Sequence, residues 1–245
     1  MLRILSYNIR YGGEGREEAL TAVIQAAAPD LVVFQEATRP DVIRTLAERT
    51  GMPAWASSPH HSVGFMSRLE IRAHEWHKPH GCPRAILQIE LASGLTVFGI
   101  HLRAIHSSWS ERNRARELVV ALRSIERHRQ GLHVLTGDFN TLAPGEHLDL
   151  HRLPRRLRLL TLILGRTIQW RTIQTMLDAG YVDGFRQMHP DQPGHTFPTW
   201  APHVRIDYLF APGAAIERVR ECEVVQDAGA RAASDHFPLL TLFEA

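Results

Sequence analysis

Cysteine is scarce: Cys82 and Cys222 stand alone and far apart. That spacing excludes a disulfide framework and a cysteine-based metal site, and both side chains read as reduced, partly buried thiols. No run approaches the roughly 18 consecutive apolar residues that a membrane span requires. The first strand-like run starts at Leu2 without the apolar region or small-residue cleavage site of a secretory leader. Excess charge is also missing, since the net value is only +2, and the whole-chain balance does not announce a polyanionic partner. A cytoplasmic, soluble protein is the expectation from these absences. What is present is ordinary for a globular chain: 245 residues, 44% hydrophobic and 22% charged, with nothing in the middle that reads as a linker. One α/β domain over 1–245 fits better than two small ones.

Strand-like and helix-like patterns alternate along the chain. Leu2 to Ile9 reads as a strand carrying Ser6 and Asn8 at its end, followed by a loop with Gly12, Gly13 and Gly15. Leu20, Val23, Ile24 and Ala27 recur at helical spacing until Pro29 forbids continuation. Leu31 to Phe34 is an apolar strand ending in Gln35-Glu36, and a second helix follows, capped by Thr38, with Pro40 in its first turn and a stop at Gly51. Residues 52 to 83 are harder to read, with one strand at Val63 to Met66. His60, His61, His74, His77 and His80 match no metal-ligand spacing and read as surface loop histidines. Arg84 to Leu91 and Leu95 to Leu102 form a hairpin turning at Ala92-Ser93-Gly94, its second strand ending at His101. Ser108 and Glu111 have capping-box spacing ahead of a long helix that Gly131 ends.

Leu132 to Asn140 is the stretch around which the rest is organised. A short run of β-formers stops at Gly137 and presents Asp138 and Asn140 on one side, with Phe139 between them. A carboxylate and a carboxamide two apart can orient a nucleophilic water and hydrogen-bond the oxygens of a group under attack. A plain Asx turn after a strand reads equally well from these residues alone. The balance moves because other apolar runs end in the same manner.

After Gly145 the composition shifts. Arg152, Arg155, Arg156, Arg158, Arg166 and Arg171 are interleaved with leucines, and no acidic residue occurs between Asp149 and Asp178. Pro154 and Gly165 suggest two short helices, an Arg/Leu-rich helical insertion at about 147–177. Arginine binds phosphate bidentately and stacks on bases, so polyanion contact is favoured over a solvated face or a simple lid. Beyond it, Tyr181 to Phe185 leads into a loop of Pro, Gly and His, and Val204 to Phe210, Val219 to Val225 and Leu239 to Phe243 read as strands. In the first of these strands Arg205 and Asp207 share one side.

Asn8, Glu36, His101, Asp138, Asn140, Asp207, Asp235 and His236 end or flank these strands. In a sheet covered by helices, ligands gather outside the edge where loops leave the strands. Four carboxylates gathered there would repel one another without a cation. A hard divalent ion resolves this, magnesium first, because it takes carboxylate and amide oxygens and is completed by water and substrate phosphate. Zinc is disfavoured, since no pair of histidines has helical ligand spacing.

Ser6-Tyr7-Asn8, Gln35-Glu36, His101-Leu102, Gly137-Asp138-Phe139-Asn140, Thr196-Phe197, Arg205-Ile206-Asp207-Tyr208 and Ser234-Asp235-His236 are similar in order and approximate spacing to the motifs of the endonuclease/exonuclease/phosphatase superfamily. Each is weak alone, but the ordered set is specific and spans nearly the whole chain. The resemblance implies a DNase I-like, four-layer α/β sandwich, with two central, mostly antiparallel mixed β-sheets flanked by helices, and metal-dependent cleavage of phosphate esters. By that likeness Glu36 is the main magnesium ligand, supported by Asn8 and Asp235, with manganese as a substitute. Asp138 positions or deprotonates water, Asn140 and His236 contact the phosphoryl group, and Asp207 orients His236. His101 resembles the histidine placed near the scissile phosphate as acid or clamp. Arg103, Thr196, Arg205, Trp200, Arg155 and Arg158 are the substrate-contact candidates, Thr196 as a buttress and Arg205 as the partner of a nearby carboxylate.

Three functions are consistent with this pattern. A nuclease acting on DNA or RNA is favoured by the arginine segment and by Trp170 and Trp200, which can stack on bases. A phospholipid or small-molecule phosphodiesterase or phosphatase would lay the same segment on an anionic membrane. A binding module without catalysis is disfavoured by the retained Glu36, Asp138, Asp207, Asp235 and His236. An abasic-site specialist is disfavoured by Ile100-His101-Leu102, where that branch places a tyrosine. No protein partner is inferred, and a monomer is expected.

Overall fold

The computed structural model describes residues 1–80, 82–103, 108–146 and 170–245, without the side chains of 108–110, 128 and 129. The elements are β1 (Leu2–Asn8), α1 (Glu17–Ala27), β2 (Leu31–Gln35), α2 (Pro40–Thr50), β3 (Ala54–Ser58), β4 (His61–Ser67), β5 (Ile71–His77), β6 (Ile86–Leu91), β7 (Thr96–His101), α3 (Ser108–Ser124), β8 (His133–Asp138), α4 (Arg171–Asp178), β9 (Tyr181–Asp183), α5 (Gly184–Met188), β10 (Asp207–Pro212), β11 (Val219–Val224), α6 (Ala228–Ala233) and β12 (Leu239–Phe243). The strands form two six-stranded sheets, in the orders β11-β12-β1-β2-β4-β3 and β5-β6-β7-β8-β10-β9. Each sheet holds one parallel pair, β1 with β2 and β7 with β8, and the other pairings are antiparallel. A parallel pair needs a crossover, which α1 and α3 supply. The expected sandwich of two mixed sheets flanked by helices is what the chain adopts.

Side-chain alternation builds the layers. Leu2 and Ile4 of β1, Leu31 and Val33 of β2, Val97 of β7, Val134 of β8 and Leu209 of β10 meet between the sheets in one core. The alternate residues Leu5, Tyr7, Val32 and Phe34 turn outward to Leu20, Ile24, Ile43 and Leu46 of α1 and α2. On the other outer face Phe98, Ile100 and Leu135 meet Leu118, Leu122, Ile173 and Met176 of α3 and α4. Each such buried aliphatic contributes about 1.5–3 kcal/mol. The same period puts Asn8, His101, Asp138 and Asp207 on the inner faces, one step beyond the last apolar layer.

Several local expectations change. α2 is not capped by Thr38: it starts from Arg39 with no side-chain cap, and Pro40 supplies the preset first turn. Glu111 turns inward, accepting hydrogen bonds from Arg114 Nη2 at 2.7 Å, Thr141 Oγ1 at 2.9 Å and the Thr172 amide at 2.8 Å. It thereby ties α3 to the loop after β8 and the start of α4. Residues 52–83 hold three strands rather than one, because short half-buried strands lack strong alternation. His61, His74 and His77 lie on β4 and β5, not on loops: His61 stacks on Trp76 at 5.2 Å, while His77 Nε2 meets Gln88 Oε1 at 2.6 Å. The strand expected from Val204 begins only at Asp207, since Val204 makes a lone bridge to Phe197. Arg205 and Asp207 therefore do not share a face. The Arg/Leu-rich insertion lies mostly outside the described residues, and its end is α4. No helix among the described residues is long and apolar enough to cross a membrane.

At Gly137, φ is +146° and a Cβ would lie 2.8 Å from the Ile100 carbonyl carbon of the adjacent strand. Gly137→Ala is expected to cost about 3 kcal/mol or more, because rigid backbone rather than a side-chain tip obstructs the methyl. Urea denaturation measures it, and a variant as stable as the parent would refute this close approach of β7 and β8.

Candidate active site

Three strands of one sheet carry a polar row. His101 on β7 is in register with Asp138 on β8, and Asp138 is in register with Asp207 on β10. β1 of the facing sheet ends at the same level, so Asn8 Nδ2 donates to Asp138 Oδ2 at 3.0 Å across the sandwich. His236 Nδ1 lies 2.9 Å from Asp207 Oδ2, and its Nε2 is 3.9 Å from Asp138 Oδ2. His101 Nε2 is 3.8 Å from the same oxygen. The Asn140 backbone N–H caps Asp138 Oδ1 at 2.8 Å, and its Nδ2 donates to the Leu102 carbonyl at 2.9 Å. Asn140 holds this pose with φ at +52°, a left-handed conformation that asparagine tolerates better than most residues.

Two loops from the other sheet close the cleft. Ser234 Oγ donates to the Asn8 carbonyl at 2.6 Å, and Arg10 Nε pairs with Asp235 Oδ2 at 3.3 Å. The Tyr11 amide donates to Glu36 Oε2 at 2.5 Å, and the Arg10 amide to Asn8 Oδ1 at 3.0 Å. Arg16 fastens the loop from behind, with hydrogen bonds to the carbonyls of Ile9, Arg10 and Ala233. Asn8, Glu36, His101, Asp138, Asn140, Asp207, Asp235 and His236 are thus linked around one cleft.

The electrostatics follow from burial. Asp138 is pushed up to about 7, first by desolvation and then by Asp207, against the opposing pull of His236, the Asn140 amide and Asn8. Desolvation opposes a charge on His236, but the Asp207 carboxylate and its hydrogen bond, then Asp138 and Asp235, outweigh it and raise the imidazole to about 9. His101 moves the other way: burial, Arg84 and His236 hold it neutral, well below the ordinary histidine range. Among the described residues its buried Nδ1 has no hydrogen-bond partner.

Other expected contacts fall elsewhere. Thr196 is fully buried, and its Oγ1 accepts from the Ile206 and Asp207 amides at 3.2 and 3.4 Å, which fits a buttress and keeps it from substrate. Arg205 is corrected as a substrate contact: it is buried, pairs with Glu146 and with Asp183 at 2.7 Å, and lies 4.4 Å over the Tyr208 ring. Trp170 spends its indole N–H on the Glu146 carbonyl at 3.1 Å and packs on the Leu142, Val204 and Ile206 cluster, so its edge is not presented to a base. Trp200 is 68% exposed and Arg103 is half-exposed, the latter 3.4 Å from Glu117. Arg155 and Arg158, with Arg152, Arg156 and Arg166, lie outside the described residues.

Arg84 is a residue that sequence reasoning missed. Its Nη1 donates to the Leu102 and His101 carbonyls at 3.0 and 3.4 Å, which fixes one corner of the guanidinium. Burial lowers its pKa, with Asp138 and Glu36 pulling it back up. Among the described residues it forms no ion pair, so part of a cation stands in the field of both carboxylates. Nothing in the run around Arg84 marks it, and Arg10, also missed, has for a signal only its place two residues after Asn8, since β1 ends at Asn8 and Arg10 has positive φ.

A divalent ion suits this donor set. Carboxylate oxygens of Asp138 and Asp207 lie within 4.8 Å of each other and of the His236 ring, which as a charged imidazole serves as a hydrogen-bond donor rather than a ligand. Among the described residues the hydrogen bond to Glu36 is the Tyr11 amide on Oε2, which leaves Oε1 for an ion. Hard oxygens dominate, as magnesium or manganese prefer.

The family model described as the Endonuclease/Exonuclease/phosphatase family matches residues 5–236. No curated protein matches significantly. Similar solved structures include an AP endonuclease from Archaeoglobus fulgidus, at TM-score 0.76 and 19% identity with 100% of each chain covered. The 3'-5' exonuclease NExo from Neisseria meningitidis is similar at TM-score 0.74 and 19% identity, again over 100% of both chains. A humanized TDP2 from D. rerio follows at TM-score 0.71 and 19% identity, covering 100% of this chain and 99% of that one. At such identity these structures show a shared fold.

Because the folded-state pKa of His236 is raised from 6.5 to about 9, its stabilising contribution is complete below pH 6.5 and is lost as pH rises through about 9. NMR titration of the ring protons should find His236 charged at pH 7 and His101 neutral. Asp207→Asn should lower the His236 midpoint and remove that part of the pH dependence of stability. An unchanged midpoint would refute the Asp207–His236 contact.

Proposed function

Since the chain belongs to the Endonuclease/Exonuclease/phosphatase family, whose members are hydrolases of phosphoester bonds and generally divalent-metal dependent, we propose that it is a magnesium-dependent phosphodiesterase acting on nucleic acid, a nuclease of DNA or RNA. The observation that carries this reading is the Asp138 carboxylate set among Asn8, His101 and His236, with Asp207 fixing the His236 ring. The structures similar in fold include an AP endonuclease, an exonuclease and a 3' phosphatase bound to product DNA hairpin, which supports nucleic acid over lipid.

Glu36, with Asn8 and Asp235, would hold the ion, beside Asp138 and Asp207. Such an ion neutralises phosphate charge and lowers the pKa of bound water. This chain's own residues supply the rest. Asp138 takes the proton of the attacking water, and its elevated pKa makes it a better base than a surface carboxylate. His236, charged by its pairing with Asp207, directs Nε2–H at a phosphoryl oxygen. Asn140 offers the second N–H of its amide to the same group, its first being used on Leu102. Neutral His101 serves as a hydrogen-bonding clamp rather than as an imidazolium acid. Arg84 adds positive charge where the pentavalent phosphorus accumulates negative charge.

Asp138→Asn and His236→Ala should each lower kcat about 10^3-fold or more while circular dichroism shows the fold retained, with His236→Ala also lowering Tm because Asp207 loses its charged partner. Chelation should abolish activity, and magnesium should restore it. Single-stranded DNA, duplex DNA, RNA, sphingomyelin vesicles and a bis-aryl phosphate make the discriminating panel. Hydrolysis of sphingomyelin with no cleavage of nucleic acid would overturn the nuclease assignment in favour of a lipid phosphodiesterase.

A further inference from the structure

Among the described residues, the large hydrophobic side chains left in water are Met1, Tyr11, Leu69, Val120 and Trp200. Only Tyr11 and Trp200 are aromatic, and both stand at the rim of the cleft. Tyr11, 76% exposed, donates its amide to Glu36 Oε2. Trp200 follows Thr199, whose amide and hydroxyl bond the carbonyls of Asp235 and Ser234 at 2.9 and 2.8 Å. Its ring lies 6.3 Å from that of Phe197, which lies 4.8 Å from His236. We propose that Tyr11 and Trp200 are stacking platforms for unpaired bases flanking the scissile phosphate, which makes single-stranded or frayed nucleic acid the substrate of this cleft. The inference rests on the nuclease assignment and narrows it.

The conformation of the Tyr11 loop carries the argument. Arg10 and Tyr11 both adopt left-handed backbone, with φ of 48° and 49°, and neither is glycine or asparagine. A chain pays strain to hold two such residues in succession only if the surroundings over-determine them. Here they do: Arg16 bonds the Ile9 and Arg10 carbonyls, the Gly13 amide bonds the Arg10 carbonyl at 3.0 Å, and the Arg10 and Tyr11 amides bond Asn8 and Glu36. The result is an aromatic ring presented to solvent by a locked loop that also touches the catalytic carboxylates. A loop backbone fixed before binding has little freedom left to lose when a flat ligand lands on the ring it carries. The Arg10 guanidinium lies 5.3 Å from the centre of that ring and pairs with Asp235, so a cation accompanies the platform where a phosphate passes.

The chemistry selects bases over lipid. Residues adjoining Tyr11 are charged or glycine: Arg10, Gly12, Gly13, and the Glu14–Arg39 ion pair at 2.8 Å. Acyl chains favour a contiguous apolar patch, whereas a nucleobase needs one flat ring and a nearby cation. Paired bases inside a duplex already stack on their neighbours, so a platform rewards bases that are free.

The test compares three ligands by fluorescence anisotropy with the full chain in calcium: a single-stranded oligonucleotide, the same strand annealed to its complement, and an abasic sugar-phosphate oligomer of equal charge. The single strand should bind at least about 10-fold more tightly than the abasic oligomer. Tyr11→Ala and Trp200→Ala should each weaken single-strand binding about 5- to 100-fold and lower its advantage over the abasic oligomer, with Tyr11→Phe and Trp200→Phe restoring it. Equal affinity for base-bearing and abasic oligomers, or alanine variants that bind the single strand as the parent does, would overturn the stacking role while cleavage of nucleic acid persists. If instead no nucleic acid is cleaved and sphingomyelin vesicles are hydrolysed, the nuclease assignment itself fails and the platforms fail with it.

Discussion

The hydrogen bond from Asn8 to Asp138 joins the last polar residue of one sheet to the last polar residue of the other. Everything around it depends on the two inner apolar stacks ending at the same height. If β1 slipped by one residue against β12 or β2, Asn8 would turn toward α1 and Tyr7 would enter the space between the sheets. The registers Ile4 with Leu31 and Ile4 with Thr241 hold β1 on both sides. Gly99 lets the sheets close, since a Cβ there would stand 2.7 Å from both Val33 and Val63. Packing of apolar side chains thereby sets the position of a polar pair to within a hydrogen bond.

Collecting carboxylates at the end of an apolar core raises their free energy, and the protein offsets this with cations of its own. His236 stands between Asp207 and Asp138, Arg10 meets Asp235, and Arg84 lies in the field of Asp138 and Glu36. These cations neutralise the acids only in part. Asp138 remains partly protonated near neutrality, so a divalent ion or an incoming proton has something to gain there. Arg205, Glu146, Asp183 and Arg186 make a second ionic network that does a different job. It pins the segment before β10, and with it the level at which Asp207 enters the sheet.

Much of the architecture was legible because apolar alternation is periodic. β1, β2, β7 and β8 are apolar runs with buried residues on both faces, β12 alternates buried with half-buried residues, and helical spacing located α1, α2 and α3. β3 and β5 were not legible, being half-buried edge strands without a clean pattern. α6 was missed too, for its six residues, alanines and a glycine around Arg231, are too few and too small to carry a strong apolar stripe. Of the site, Asn8, Glu36, His101, Asp138, Asn140, Asp207, Asp235 and His236 could be picked out as polar residues ending apolar runs. Arg84 could not, because its place in the cleft comes from a contact with the backbone of the neighbouring strand. Arg205 misled for the opposite reason: alternation assigned it the side of Asp207, but the strand starts two residues later.

The sequence by itself determined which residues are buried and in what order the polar strand ends occur, because both depend on hydrophobicity read at short range. Only the tertiary structure decided how those ends act on one another. That the pKa of His236 is raised and that of His101 lowered, that Asp138 is pushed up toward neutrality, and that Tyr11 faces solvent on a locked loop all depend on neighbours brought from elsewhere in the chain. Field and desolvation act through space at distances of a few ångströms, and no local pattern in the chain encodes them.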